Sequence, residues 1–490
     1  MARPIDSPRM VFLQSVCTVA YGGSPITSVL LLLLVTVLTG LAVTLAPELA
    51  TKVMVVGIAG LIASWLIVRN PFRALNVSLF VVLVAWTKFR HRDPMATLAG
   101  VVDWQIALEL GLYALLGIVV LRVWFVANVG RLKGYPIDIV ALAYVALVFA
   151  SIAWSPVMRI TAVRAVQMAI QTLVVLVIVR VAGREGLFRN LSSSILTYVV
   201  VFGLIALLIP GARGSQVVEG GVSRFYWFSM HPGSVATVAA VAGLFVLSGI
   251  LFAPAGRRPT WMGIPLLVWL VVLMLLVLST RVRGQTIAFA AAGTVLVLLR
   301  FAKSWTVALG ASLALLAAAV FLSYSVSPAE VLLAGEGSGN PLLRFLYRGQ
   351  TASELTTLSS RTDLWQIAAS LVRKHPLIGH GYVSSRAVLL QEIPWAAYAH
   401  NAWFQVLLDL GIVGLVLITT LILSPLRVMR ERPFNAGGAV APAILSITSF
   451  LLITSITGEG FAGGPGFETV LLLSLALGSA RPSESKWSSQ

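Results

Sequence analysis

From about residue 327 to residue 400 an otherwise apolar chain turns polar, and the groups able to do chemistry gather there. The stretch carries Ser359-Ser360-Arg361-Thr362-Asp363-Leu364-Trp365, then His375-Pro376-Leu377-Ile378-Gly379-His380-Gly381. It closes on Ala399-His400-Asn401, where a new apolar run begins. A long, polar, non-repetitive segment between apolar runs is usually functional. His400, at the mouth of that run, can take up a proton near neutral pH, as a general base must. His231, His375 and His380 compete for the role, and for any lone histidine a structural place is the simpler reading. His375 and His380 lie five apart on a turn, a poor spacing for a metal pair.

Several other charges need a reason. Arg281 and Arg283 flank Val282 just before a segment opening Gly284-Gln285-Thr286. A helix N-terminus there would attract an anion, and two planar guanidiniums beside it suit a diphosphate. A plain interfacial turn is the alternative. Arg224 and His231 fall on the same face, among aromatics that either serve a site or form an interfacial belt. Arg164 lies about one turn inside an apolar run. It either snorkels to head groups or contacts an anion at the outer mouth. Asp409, about two turns beyond His400, either pairs with an arginine or lines a hydrated pocket. Glu459, in Thr457-Gly458-Glu459-Gly460, either orients a cation or base or is a solvated loop acid.

The elements that must position these groups are membrane spans. Hydrophobic residues make up 58% of the chain and charged residues 11%, outside the range of soluble domains. Apolar runs of about 18–23 residues recur, enough to cross a hydrocarbon core of roughly 30 Å. The expected fold is an all-α polytopic membrane protein, one membrane domain over residues 1–490. Spans are expected near 26–46, 52–68, 74–87, 103–126, 137–154, 160–182, 194–210, 232–252, 262–279, 285–301, 305–325, 401–424, 441–457 and 466–480, about 12–14 in all. The first run is read as a retained span and not as a signal peptide. Cys17 is the single cysteine, so no internal disulfide is possible. No P-loop, dinucleotide fingerprint or H-E-x-x-H occurs.

The net charge of +17 is scattered between spans, which argues against nucleic acid as a partner and for basic cytoplasmic loops. Arg69/Arg73, Arg131/Lys133, Arg184/Arg189, Arg257/Arg258, Arg300/Lys303, Arg427/Arg430/Arg432 and Arg481 then share the cytoplasmic side. Residues 327–400 face outward as an extracytoplasmic loop. Lys88, Arg90, His91 and Arg92 defy the rule on that outer side, as do Arg281 and Arg283. For the first cluster, either the short third span is mis-threaded or these cations meet anionic lipid or substrate.

Three elements in order carry a family resemblance. The run from Thr357 through Ser359-Ser360-Arg361 to Trp365 resembles the "GR-x-x-x-W" element of the O-antigen ligase/polymerase superfamily. Pro376-Leu377-Ile378-Gly379-His380-Gly381 resembles its "P-L-x-G-x-G", and Ala399-His400-Asn401 through Leu407, Gly411 and Gly414 its "H-N…L-x-x-x-G-x-x-G". Trp154-Ser155-Pro156 to Arg164, Met230-His231-Pro232-Gly233 and Ser279 to Gly284 agree more loosely. Ser360 replaces a common glycine, Gly233 a common asparagine, and Val282 interrupts a Ser-Arg-Gly turn, so Arg281 and Arg283 compete for one position.

The resemblance implies a bacterial inner- or plasma-membrane glycosyltransferase of helical, C-type-like fold, with short helices in the outer loop and the active site facing the periplasm or exterior. It implies metal-independent, inverting transfer without cofactors, from a polyprenyl-diphosphate-linked glycan donor to an acceptor glycolipid or lipid-linked repeat unit, among membrane lipids. By the same resemblance His400 is the base, and Arg361 with Arg281 or Arg283 holds the diphosphate. Arg164, Arg224, His231, Asn401 and Glu459 are secondary. A polymerase, a ligase and a non-enzymatic transporter or flippase stay open. Leu355-Thr356-Thr357-Leu358 looks closer to exopolysaccharide polymerases. A transporter is disfavoured because no internal repeat or paired set of broken spans is visible.

Overall fold

The computed structural model describes residues 71–91, 103–131, 134–209, 212–218, 222–254, 259–301, 361–393, 396–430, 438–458 and 460–481. Expected spans near 26–46, 52–68 and 305–325, residues 327–360 of the outer loop, and Glu459 lie outside these.

Twelve α-helices fill the described residues. They are α1 (Pro71–Trp86), α2 (Trp104–Val126), α3 (Pro136–Ala150), α4 (Met158–Leu208), α5 (Pro232–Leu251), α6 (Leu266–Ser279), α7 (Arg283–Phe301), α8 (Arg361–Lys374), α9 (Ser385–Glu392), α10 (Ala402–Leu423), α11 (Val440–Thr457) and α12 (Phe467–Ser479). The only strands there form two antiparallel hairpins, β1 (Arg213–Val218) with β2 (Val222–Trp227), and β3 (Thr260–Trp261) with β4 (Ile264–Pro265). Among the described residues, six helical segments are long and apolar enough to cross a membrane, and α1, α6, α11 and α12 are shorter apolar helices. The protein is an all-α, multi-pass membrane protein.

Two expectations need correction. α4 runs for 51 residues, about 76 Å at 1.5 Å per residue, and would overshoot a bilayer if straight. It bends at Gly183 (φ 68°, ψ −173°), giving arms of residues 158–182 and 184–208. Arg184 and Arg189 are therefore helical and not in a loop. Arg184 is buried, which is why a polar run there does not mean solvent. The expected span at 262–279 is also shortened, because its first residues form the β3–β4 hairpin.

Hydrogen bonds between helices fix which ends coincide. Ser248 Oγ donates to Ala439 O (2.7 Å), and Ser446 Oγ to Ala292 O (2.7 Å). Asn401 Nδ2 donates to Ile456 O at the other end of α11 (3.0 Å). From 439 to 456 along α11 and from 248 back to 231 along α5 are both about 25 Å of helix. The N-termini of α5, α7 and α10 therefore open at one end of the bundle. A Cβ added to Gly233 would lie 3.4 Å from Gln285 Nε2, which puts the heads of α5 and α7 side by side.

The β1–β2 hairpin belongs to the same end, because it leads directly into α5. Ser229 N donates to Lys88 O (2.9 Å), so the Lys88–Arg90–His91 cluster sits there too. α1 is thus a genuine element, and the cluster shares the hairpin's end as the threading required. At the opposite end Arg481 bonds Asp138 (2.9 Å) and Arg180 bonds the same carboxylate (3.0 Å). That clasp joins α3, the first arm of α4 and the end of α12. Of the cations expected on one side, Arg481 takes part in it.

Candidate active site

His400 is placed by its neighbours' backbone. It has φ 49°, a left-handed conformation uncommon outside glycine. Ala399 N–H donates to Gln405 Oε1 (3.0 Å), and Ala399 O accepts from Trp365 Nε1 (3.0 Å). On the other side Asn401 caps α10, its Oδ1 accepting from Trp403 N (2.9 Å) and Phe404 N (3.1 Å). Asn401 suits that position because its short amide reaches the free N–H groups of a first turn. The histidine therefore stands at the head of α10 between two tethered residues. Asn401, expected as a secondary site residue, is a cap that also ties α10 to α11.

α8 runs beside it. The Trp365 indole is fixed on Ala399 O and its ring stacks on Phe404 (6.2 Å between centroids). Arg361 opens α8, four residues before Trp365. Arg283 opens α7, and Arg281 precedes it with φ 52° and is exposed. At the head of α5 His231 accepts from Gly233 N through Nδ1 (3.0 Å), the work of an N-cap. Arg224 sits on β2 opposite Gln216. Partial burial lowers its pKa and leaves its Nε without a hydrogen bond. The heads of α5, α7 and α10 and the hairpin thus bring His231, Arg283, Arg281, His400 and Arg224 to one end. The Trp365 tether adds the start of α8.

The competing histidines are otherwise engaged. His380 Nε2 lies 3.2 Å from Leu371 O, and its ring packs edge-on to His375 (4.6 Å). Burial is the main cause that lowers the His380 pKa, with His375 and Lys374 adding to it.

Arg164 is paired inside the bundle. Its Nη1 bonds Glu109 Oε1 (2.6 Å) and Gln167 Oε1 (2.8 Å), and Gln167 Nε2 returns to Glu109 (2.8 Å). The cation is thereby met by a carboxylate of α2 that the sequence reading had not singled out. Its signal was visible: one acid in an otherwise uncharged run at residues 104–121.

The glycine motifs have a common physical cause. α10 breaks at Gly411 (φ 62°, ψ −160°). An unbroken helix would bond Leu408 O to Ile412 N and Asp409 O to Val413 N. At the break those four groups turn to the segment at 376–381 instead. His380 N donates to Leu408 O (2.8 Å) and Gly381 N to Asp409 O (2.8 Å). Ile412 N donates to Pro376 O (2.9 Å) and Val413 N to Leu377 O (3.2 Å). Each backbone group freed by the break finds a partner, as membrane-depth backbone requires. The approach leaves no room for side chains. A Cβ on Gly379 would lie 2.5 Å from Asp409 C, and one on Gly411 2.3 Å from Leu377 C. Gly381 (φ 109°) packs against Ser155, and Tyr382 is bonded to Ser151 and Thr161, so the Trp154-Ser155-Pro156 region seats the same turn.

Residues 268–419 match the O-antigen ligase family. The matched stretch runs from α6 through the break in α10, so it contains Arg281, Arg283, Arg361, the 376–381 turn, His400 and Gly411. That stretch, about a third of the chain, is similar to the O-antigen ligase/polymerase superfamily, a glycosyltransferase-type enzyme family. Arg164, Arg224, His231 and Glu459 fall outside the match. No curated protein matches the chain.

Proposed function

We propose that this protein transfers a glycan from a polyprenyl-diphosphate donor to an acceptor sugar hydroxyl at the outer face of a bacterial inner or plasma membrane, polymerising a surface polysaccharide. The observation that carries the reading is the placement of His400 beside the start of α8 and at the same end of the bundle as the head of α7, within the O-antigen ligase match. The end of the bundle that bears them faces the periplasm or exterior, and the whole chain acts as one membrane domain with residues 327–400 as its outer loop.

In this reading His400 accepts the proton of the acceptor hydroxyl as its oxygen attacks the anomeric carbon. The bond from that carbon to the diphosphate oxygen breaks, and the leaving group keeps the electron pair. A single displacement inverts the anomeric centre. The growing charge on the diphosphate is met by Arg361 and by Arg283 or Arg281, so that no metal is needed. Guanidiniums suit that task because their forked N–H groups match phosphate oxygens, and the heads of α7 and α8 add oriented N–H groups. Between the two arginines, Arg283 is on the helix itself whereas Arg281 is exposed before it. Arg224 and His231 line the approach, and Arg164 acts from behind through Glu109.

A second reading, a ligase that moves a finished glycan to a lipid-anchored core sugar, is favoured by the family's own description. Incubating the purified protein with a lipid-diphosphate repeat unit, with and without a core acceptor, separates the two. A ladder of products without the acceptor is the expected result. One discrete product that appears only with the acceptor overturns polymerisation in favour of ligation, and no product in either arm overturns the transferase reading.

A further inference from the structure

We propose that Gln405 and Asp409 form a positioning relay that sets the orientation of His400, an inference resting on the reading of His400 as the base. Gln405 and Asp409 are one turn apart on α10, buried at 1% and 2% exposure. Gln405 Oε1 takes the Ala399 N–H (3.0 Å). Its Nε2 then faces the other way, donating to Ser385 Oγ and towards Asp409 Oδ2 (3.4 Å). Asp409 Oδ1 accepts from Ser385 N (2.8 Å), anchoring the pair to the head of α9. The backbone carbonyl of Asp409 is itself bonded to Gly381 N at the break in α10.

These bonds have a direction, and the direction matters. Ala399 N–H can only donate, so the amide must present oxygen to it. Asp409 Oδ1 already takes the Ser385 N–H, and its Oδ2 is the oxygen that receives the Gln405 amide nitrogen. Asp409 therefore selects which way the Gln405 amide points, and Gln405 fixes the residue before His400. A left-handed φ at a histidine is held by its surroundings, and this relay with the Trp365 indole supplies the hold on the N-terminal side. Neither residue touches the reacting groups.

The polarity of the relay can be reversed in two steps. Asp409→Asn presents an NH2 to the Gln405 NH2, so the amide flips and sets nitrogen against Ala399 N–H. Gln405→Glu keeps the bond to Ala399 but sets two carboxylates against each other. The double variant restores every bond. Its carboxylate, now on the first residue of the pair, accepts from Ala399 N–H and from the amide NH2 now on the second. The oxygen of that same amide still accepts from Ser385 N.

The test uses the full chain in detergent or nanodiscs, with a polyprenyl-diphosphate glycan as donor. Two things are read: steady-state transfer, and the carbethoxylation rate of His400 by mass spectrometry, which needs no turnover. Each single variant is expected to lose about 100-fold in kcat with donor KM within about twofold, the size of effect from a misplacement near 1 Å. Their His400 modification rates shift as well. The double variant is expected to return both readouts to near wild type. If a single variant does not fold, Gln405→Met keeps the volume, removes the relay and carries the same expectation. Singles at wild-type kcat, or a double variant no better than its parents, overturn the relay. His400→Ala run in parallel separates the two ideas: wild-type turnover there overturns the base, while the modification rates still decide the relay.

Discussion

Gly411→Ala should cost this protein most of its stability, and the size follows from the break in α10. The φ of 62° and ψ of −160° lie in a region essentially reserved for glycine, so an alanine there costs about 1–3 kcal/mol in backbone strain alone. Its Cβ would also sit 2.3 Å from Leu377 C, 2.4 Å from Leu377 O and 2.5 Å from Ile378 N. All three are backbone atoms, so no side chain can swing aside. The turn must move away, and the four hydrogen bonds that stitch it to α10 go with it, about 1 kcal/mol each. The sum, about 5–7 kcal/mol, rivals the whole stability of a typical domain. Fluorescence-detected size exclusion after a heating series reads the loss. Gly111→Ala serves as the control, since a Cβ there meets nothing within 4 Å inside a helix and should gain about 0.5–1 kcal/mol. Gly379→Ala opens the same seam from the other side, so the double variant should lose little more than either single. A Gly411→Ala protein that melts with wild type would refute the stitched break.

Two further outcomes concern charges inside the bundle. Asp138→Ala leaves the buried guanidinium of Arg481 and the partly buried one of Arg180 facing each other, a loss of about 3–5 kcal/mol. It should lower the melting temperature clearly, and an unchanged melt would show that the clasp holds nothing. Arg164→Met strands Glu109, at a cost of about 3 kcal/mol. Adding Glu109→Gln should restore both melting and transfer; restored melting without transfer would make Arg164 a donor contact and not a structural partner.

Much of the fold was legible because membrane spans announce themselves by length and apolarity. α2, α3, α5, α7 and α10 begin and end within a few residues of expectation. The second arm of α4 starts ten residues early because Arg184, Glu185 and Arg189 are good helix formers, and Arg184 is buried by protein. The order of the polar motifs was legible too, and the family match now covers them. What local pattern could not carry was the purpose of the glycines. Gly379 and Gly411 are 32 positions apart, and only the folded chain lays one backbone on the other. The same holds for Asp409, expected to meet an arginine or a hydrated pocket. It meets Gln405 and the head of α9, and Gln405 drew no notice because a single amide on an apolar helix carries no signal of its own.

The central claim is that His400 takes the acceptor proton at a site whose diphosphate grip lies elsewhere. The direct measurement is single-turnover transfer by His400→Ala beside equilibrium binding of the polyprenyl-diphosphate glycan. Loss of transfer by about 100-fold or more, with donor affinity kept within about twofold, is the predicted result. Transfer at the wild-type rate would contradict it.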